Sequence, residues 1–220
     1  MAHEALIGAT EFFAEATPGV LADIAASARQ IPLIRGDVLF KEGEVADALY
    51  IVVTGRLAII IANEIDHRET VVALMEEGDL FGEMAMLDQG PRSAMARALE
   101  PSTVLMLPHD AVRDALIREP AMLWGVTRLL AKRLRVMDET LADSVFLDVT
   151  GRTAKRLLEL SEGADEFTLP VTQEELAGMV GASRERVNKA IASFIRLGWI
   201  EQHDRHYRII KRPSLVIRAR

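Results

Sequence analysis

Cysteine is missing from all 220 residues. Its absence excludes disulfides, thiolate zinc sites, cysteine-ligated iron–sulfur clusters and thiol redox sensing by this chain alone. Long apolar runs are missing too: none approaches the roughly 18 residues that a membrane span requires. The opening stretch, MAHEALIGATEFF, has neither a basic n-region nor an apolar h-region, so no signal peptide and a cytoplasmic location are expected. Histidine is sparse, with five residues scattered at His3, His67, His109, His203 and His206. A metal enzyme built on a β-barrel would need histidines and carboxylates clustered on adjacent strands. No such cluster is legible, and no nucleophile–base pair either, so neither catalysis nor a bound metal is expected.

What is present is ordinary for a globular protein: 50% apolar and 27% charged residues in a chain long enough for one or two domains. The net charge of −7 hides an asymmetry. Residues 1–147 carry 13 Lys/Arg against 23 Asp/Glu, whereas residues 148–220 carry 13 against 10. An acidic body with a basic end suggests that one part meets a polyanion and the other does something else.

The longest pattern is Pro120–Phe146, which reads as one helix starting with a proline in its first turn. Leu123, Thr127, Leu130, Leu134, Met137 and Leu141 recur at alternating spacings of four and three. That is the seam of a helix that pairs with another helix, although an amphipathic helix packed on its own domain has a similar period. Ahead of it, residues 10–30 read as a short helical preface. From Ile31, runs rich in Val, Ile and Leu are cut by turns at Gly36, Gly43, Gly55, Gly78 and Gly90. Many short strands with regular turns imply an antiparallel sandwich or barrel.

One segment of that half carries chemistry: Asp79–Ala94, DLFGEMAMLDQGPRSA. Gly82 lets a ligand approach the backbone closely. Arg92 offers a planar fork that fits a phosphate, and Ser93 adds a hydroxyl donor. Glu83 is an acceptor suited to a sugar hydroxyl. Together they could hold a ribose-phosphate.

After the long helix, Asp148 or Thr150 can cap a helix running from Arg152. Gly163 ends that helix, and Phe167–Leu169 reads as a short strand. Thr172 with Glu175 makes a capping box for a helix over Gln173–Val180, Gly181 makes a tight turn, and Ser183 caps a second helix from Arg184 to about Leu197. Two short helices joined by a glycine turn form a helix-turn-helix. The second presents Arg184, Glu185, Arg186, Asn188 and Lys189 where a recognition helix meets base edges. Residues 199–210 read as a hairpin wing, with Arg205, Arg208, Lys211 and Arg212 suited to phosphate contacts.

These motifs resemble the CRP/FNR family of transcription regulators, from about residue 10 to 212. The pattern Gly-Asp-x-Phe-Gly-Glu followed by Pro-Arg-Ser-Ala is similar to the phosphate cassette of the cyclic-nucleotide-binding β-roll. FLDVTGR and Ser-Arg-Glu-x-Val are similar to the family's hinge and recognition helix. The resemblance implies an α+β protein with an antiparallel β-roll sensor over residues 1–119, a dimerisation helix and hinge over 120–147 and a winged helix-turn-helix over 148–220. It implies a homodimer that binds a near-palindromic double-stranded DNA site, works with RNA polymerase, and answers to a cyclic nucleotide, cAMP foremost. Gly82, Glu83, Arg92 and Ser93 match the family's ribose and phosphate contacts, and Arg133 a phosphate or inter-subunit contact. Ser183, Arg184, Glu185, Asn188, Lys189 and Arg205 are the corresponding DNA-facing positions, with Arg184 suited to guanine and Glu185 to cytosine.

Two departures stand out. Alignment on FLDVTGR puts the pair that meets adenine, usually hydroxyl-bearing, at Met137 and Asp138. A thioether cannot donate to the base, whereas an aspartate can accept from its amino group. Altered base recognition is therefore expected, with another effector, or constitutive DNA binding without cAMP, as the alternative. Lys189 stands where the family usually has Arg, which loses the bidentate fork, so strict retention of a TGTGA-like half-site is not implied. A haem or iron–sulfur sensor of the same family is disfavoured by the missing cysteines.

Overall fold

The computed structural model describes residues 2–62 and 69–220; His67 lies outside them. The described residues form two compact units, which meet in the chain near Val72 and between Arg135 and Val136.

In the first unit, α1 (Ala2–Ala9), a 3-10 turn (Glu11–Phe13) and α2 (Pro18–Ser27) precede the strands. Next come β1 (Arg29–Leu33), β2 (Val38–Phe40), β3 (Ala48–Thr54), β4 (Leu57–Ala62), β5 (Glu69–Met75, of which this unit holds the part from Val72), β6 (Leu80–Phe81), α3 (Met84–Asp88), β7 (Met95–Ala98), β8 (Ser102–Pro108) and α4 (His109–Arg118). One four-stranded sheet has the order β1-β8-β3-β6 and the other β2-β7-β4-β5; the pairings given for their strands are antiparallel. The expected β-roll is present. Strand β3 shows why its sequence, ALYIV, does not alternate. Ala48, Tyr50 and Val52 face a core shared with Phe40, Phe81 and Val104, while Leu49 and Ile51 face a second core beneath the helices. Both sides of the strand are buried, so both must be apolar. The second core holds Phe12, Phe13, Ile24, Val112, Met122 and Val126.

The expected helix start at Pro120 shifts by three residues: Pro120–Met122 is a 3-10 turn and α5 runs Leu123–Phe146. Its 24 residues span about 36 Å. Met122, Gly125 and Val126 are buried and Leu129 packs beside them, so this stripe fastens the helix to the first unit. A Cβ at Gly125 would stand 2.6 Å from the Glu11 carbonyl and 2.7 Å from that of Phe12. Only glycine permits so close an approach. The heptad stripe Leu123, Thr127, Leu130, Leu134, Met137 and Leu141 lies on other faces, and all six are exposed.

The second unit contains the C-terminal half of α5, then α6 (Val149–Leu160), β9 (Glu166–Thr168), α7 (Gln173–Val180), α8 (Arg184–Arg196), β10 (Ile200–His203), β11 (His206–Ile209) and α9 (Arg212–Arg218). Asp148 is the cap of α6, accepting from the Gly151 N–H at 2.8 Å, so the helix starts three residues earlier than Arg152. The capping box of α7 is complete, Gly181 is left-handed at φ 67°, and Ser183 caps α8. Strands β10, β11 and β9 form one antiparallel sheet. Helix α9, unforeseen in the sequence, buries Leu215 and fastens Arg218 to Asp148.

Candidate functional site

The cassette is built on the turn after β6. Gly82 has φ +81°, and a Cβ there would stand 2.7 Å from Arg92 Nη1. Glu83 follows, then the short α3, whose left-handed Gln89 turns the chain back toward Arg92. Arg92 is 4% exposed. Its Nη1 donates to the Gly82 carbonyl at 2.9 Å and its Nη2 to that of Ala48 at 2.6 Å. The guanidinium lies 4.2 Å from the ring centre of Phe40 and 5.4 Å from that of Tyr50, a cation–π cradle. Burial pushes the Arg92 value down and the Tyr50 phenol up.

Glu83 is fully buried. Its Oε1 is paired with Arg133 Nη1, and Arg133 Nη2 also donates to the Leu80 carbonyl at 2.7 Å. Burial raises the Glu83 carboxyl, with Arg133 the main opposing influence. Within the cassette, Glu83 Oε2 and Arg92 Nε are each buried without a partner among the described residues. Such atoms are costly unless something fills them. One is an acceptor and the other a donor, nine positions apart in sequence and both tied to Gly82 and its neighbours. A ribose cyclic phosphate supplies a hydroxyl for the first and anionic oxygens for the second, so the residues present fit that group. Ser93 is exposed, with its hydroxyl 3.9 Å from Met84 Sδ.

The fold thus gathers Gly82, Glu83, Arg92 and Arg133. Met137 and Asp138 lie past Arg135, in the second unit, and both are exposed. Sequence reasoning missed Phe40, Tyr50 and the Ala48 carbonyl, which hold Arg92. Nothing in a strand pattern shows which apolar residues flank an arginine.

In the second unit the exposed N-terminal face of α8 presents Arg184, Glu185, Arg186, Asn188 and Lys189 around a buried Val187. Lys189 Nζ pairs with Glu185 Oε1 at 2.8 Å, which holds the Glu185 carboxyl below its usual range. The wing is less free than its composition suggests. Arg205 donates twice to the Leu169 carbonyl, at 3.1 and 2.7 Å. Arg208 sits between Glu166 and Glu201, and Arg212 is tied to Asp165. These cations hold the wing together as well as facing its surroundings. Among the described residues no group of three His, Cys, Asp or Glu could hold a metal ion, and no helix is long and apolar enough to cross a membrane.

A β-roll with a buried, unsaturated arginine and an exposed basic helix-turn-helix define the class: a DNA-binding regulator with a cyclic-nucleotide-binding domain. Comparison with known proteins agrees. The cyclic nucleotide-binding domain family matches residues 31–119, and the Crp-like helix-turn-helix domain family matches residues 151–216. The chain is 37% identical over 210 residues to a CRP-like cAMP-activated global transcriptional regulator of Mycobacterium tuberculosis, covering 92% of this chain and 93% of that one. It is 32% identical over 174 residues to the cAMP-activated global transcriptional regulator CRP of Salmonella typhimurium, covering 76% and 82%. The structure of FixK2 from Bradyrhizobium japonicum shares the fold at TM-score 0.76 and 22% identity, covering 86% of this chain and 96% of that one. The chain belongs to the CRP/FNR family of transcription regulators.

Proposed function

We propose that the protein is a homodimeric transcription regulator whose DNA binding is controlled by a cyclic nucleotide held at Gly82, Glu83, Arg92, Ser93 and Arg133. The observation that carries this reading is the pair of orphaned buried atoms, Glu83 Oε2 and Arg92 Nε. Residues 1–119 sense, 120–147 dimerise and carry the hinge, and 148–220 bind a near-palindromic site in the cytoplasm, in partnership with RNA polymerase. The relatives' cAMP activation favours cAMP as the ligand. Met137 and Asp138 argue for altered base recognition, because a thioether offers the adenine no donor. A different effector on the same fold, or constitutive DNA binding, is the second reading, favoured by the same two residues.

Ligand binding acts by population shift: a nucleotide bound differently by two arrangements of the dimer biases the spacing of the recognition helices toward one DNA turn, about 34 Å. Arg184, Glu185, Asn188 and Lys189 then read base edges, while Ser183 and Arg205 meet the backbone. Calorimetric titration with cAMP and cGMP, coupled to a DNA-binding assay, tests the reading. Submicromolar cAMP affinity sinks the altered-recognition idea, and no binding of either nucleotide sinks the sensor. The dimer is tested separately. The exposed apolar stripe of α5 is expected to carry it, so Leu134→Glu should give a monomer by analytical ultracentrifugation at micromolar concentration.

A further inference from the structure

The first unit contains a buried titrating side chain that neither nucleotide contact nor DNA reading uses, His109. It opens α4 directly after Pro108, which pairs with Ala48 across β8 and β3. The residue is 5% exposed. Its backbone N–H donates to the Asp47 carbonyl at 2.8 Å. Arg92 Nη2 donates to the carbonyl of Ala48, the next residue, at 2.6 Å. His109 and the guanidinium therefore hold adjacent residues, Asp47 and Ala48, at the start of β3. His109 Nε2 is buried without a partner among the described residues. The charged groups facing the ring are Arg92 from the cassette, Asp47 from the turn before β3, and Arg113 one turn along α4. Burial first, and Arg92 second, hold the imidazole below its ordinary value.

We propose that His109 is a positioning residue of the anion site, one that gains a proton from solvent when a cyclic phosphodiester neutralises Arg92. The proposal rests on the nucleotide-binding reading above. In the unliganded chain burial and, after it, the neighbouring guanidinium disfavour the charged ring. A bound phosphodiester adds one negative charge beside Arg92 and keeps it throughout the neutral pH range. An imidazolium then costs less, so the His109 value rises on binding. A group whose value rises on binding takes up a proton, and affinity therefore increases as pH falls through the window between the free and bound values.

The test is calorimetric titration of the full chain with cAMP and cGMP between about pH 6 and 8. Each titration is run in two buffers of different ionisation enthalpy, which counts protons exchanged. Expected are net proton uptake on binding and an affinity that falls by up to about tenfold across the range, the consequence of a shift of one pKa unit. His109→Gln keeps a polar side chain of similar size that does not titrate and should bind with neither uptake nor pH dependence. Uptake that persists in His109→Gln overturns the proposal and points to Glu83, the other buried titrating group of the pocket. Should that variant fail to fold, NMR titration of the His109 ring with and without saturating nucleotide decides: an upward movement supports the proposal and an unmoved ring overturns it. Nucleotide affinity that does not change with pH overturns this proposal alone, whereas no binding at any pH overturns the sensor reading and this proposal with it.

Discussion

Arg92 in the β-roll and the cations of α8, proposed to meet two different anions, stand under opposite physical conditions. Arg92 is buried, both its terminal nitrogens are held by carbonyls, and two aromatic rings cradle it. Arg184 and Arg186 are exposed, and Lys189 leans on Glu185 of its own helix. A buried, pre-set cation answers one small anion of the right shape and is shielded from salt. An exposed set answers a polyanion by summed charge and pays for its flexibility in salt sensitivity.

This contrast can be broken in graded steps. Raising salt from about 50 to 200 mM should weaken DNA binding on the order of 10³-fold, as expected for about six phosphate contacts, while cyclic nucleotide affinity should move less than about twofold. A similar loss at both sites, read by parallel fluorescence anisotropy, would mean that the pocket is not screened. Next in size, Arg92→Met should lower nucleotide affinity on the order of 100-fold, the loss of a charge-assisted fork. DNA binding without nucleotide should stay unchanged, as measured by calorimetry and gel shift. Arg184→Ala should cost about 1–3 kcal/mol, confined to one base pair of the half-site in a selection experiment. An equal loss on random DNA would make Arg184 a phosphate contact instead.

The smallest effect is on stability. A carboxyl whose folded value is raised costs stability once pH exceeds its unfolded value, and Glu83 is such a group. Glu83→Gln should therefore raise Tm by about 2–4 °C near neutral pH, with no gain in acid where Glu83 is already neutral. The same substitution should weaken nucleotide binding, and differential scanning calorimetry at two pH values separates the two.

The helix-turn-helix was legible because its signals are local. The Thr172–Glu175 box, the Gly181 turn and the Ser183 cap all depend on residues within four positions of one another, and all three are present. Residues of the cassette were legible individually, but their partners were not. Glu83 and Arg133 are fifty positions apart, and no periodicity links them. Helix α5 shows a further limit. Its sequence contains an exposed stripe through Leu134 and Leu141 and a buried one through Met122 and Val126, and the period of 3.6 reports both without ranking them. Helices α1, α3, α4 and α9 went unnoticed. For α9 a signal existed in Pro213 at its first turn. Cation counts also overstated the wing, since composition cannot show that Arg205, Arg208 and Arg212 bind the fold's own oxygens.

Gly125 has one more consequence. Where it touches the carbonyls of Glu11 and Phe12, α5 is a shaft seated in its bearing with no clearance. Turning it by a single position would bring Trp124 or Val126 to a spot where a methyl group already collides. The shaft cannot spin or slide within the first unit unless the N-terminal turn travels with it.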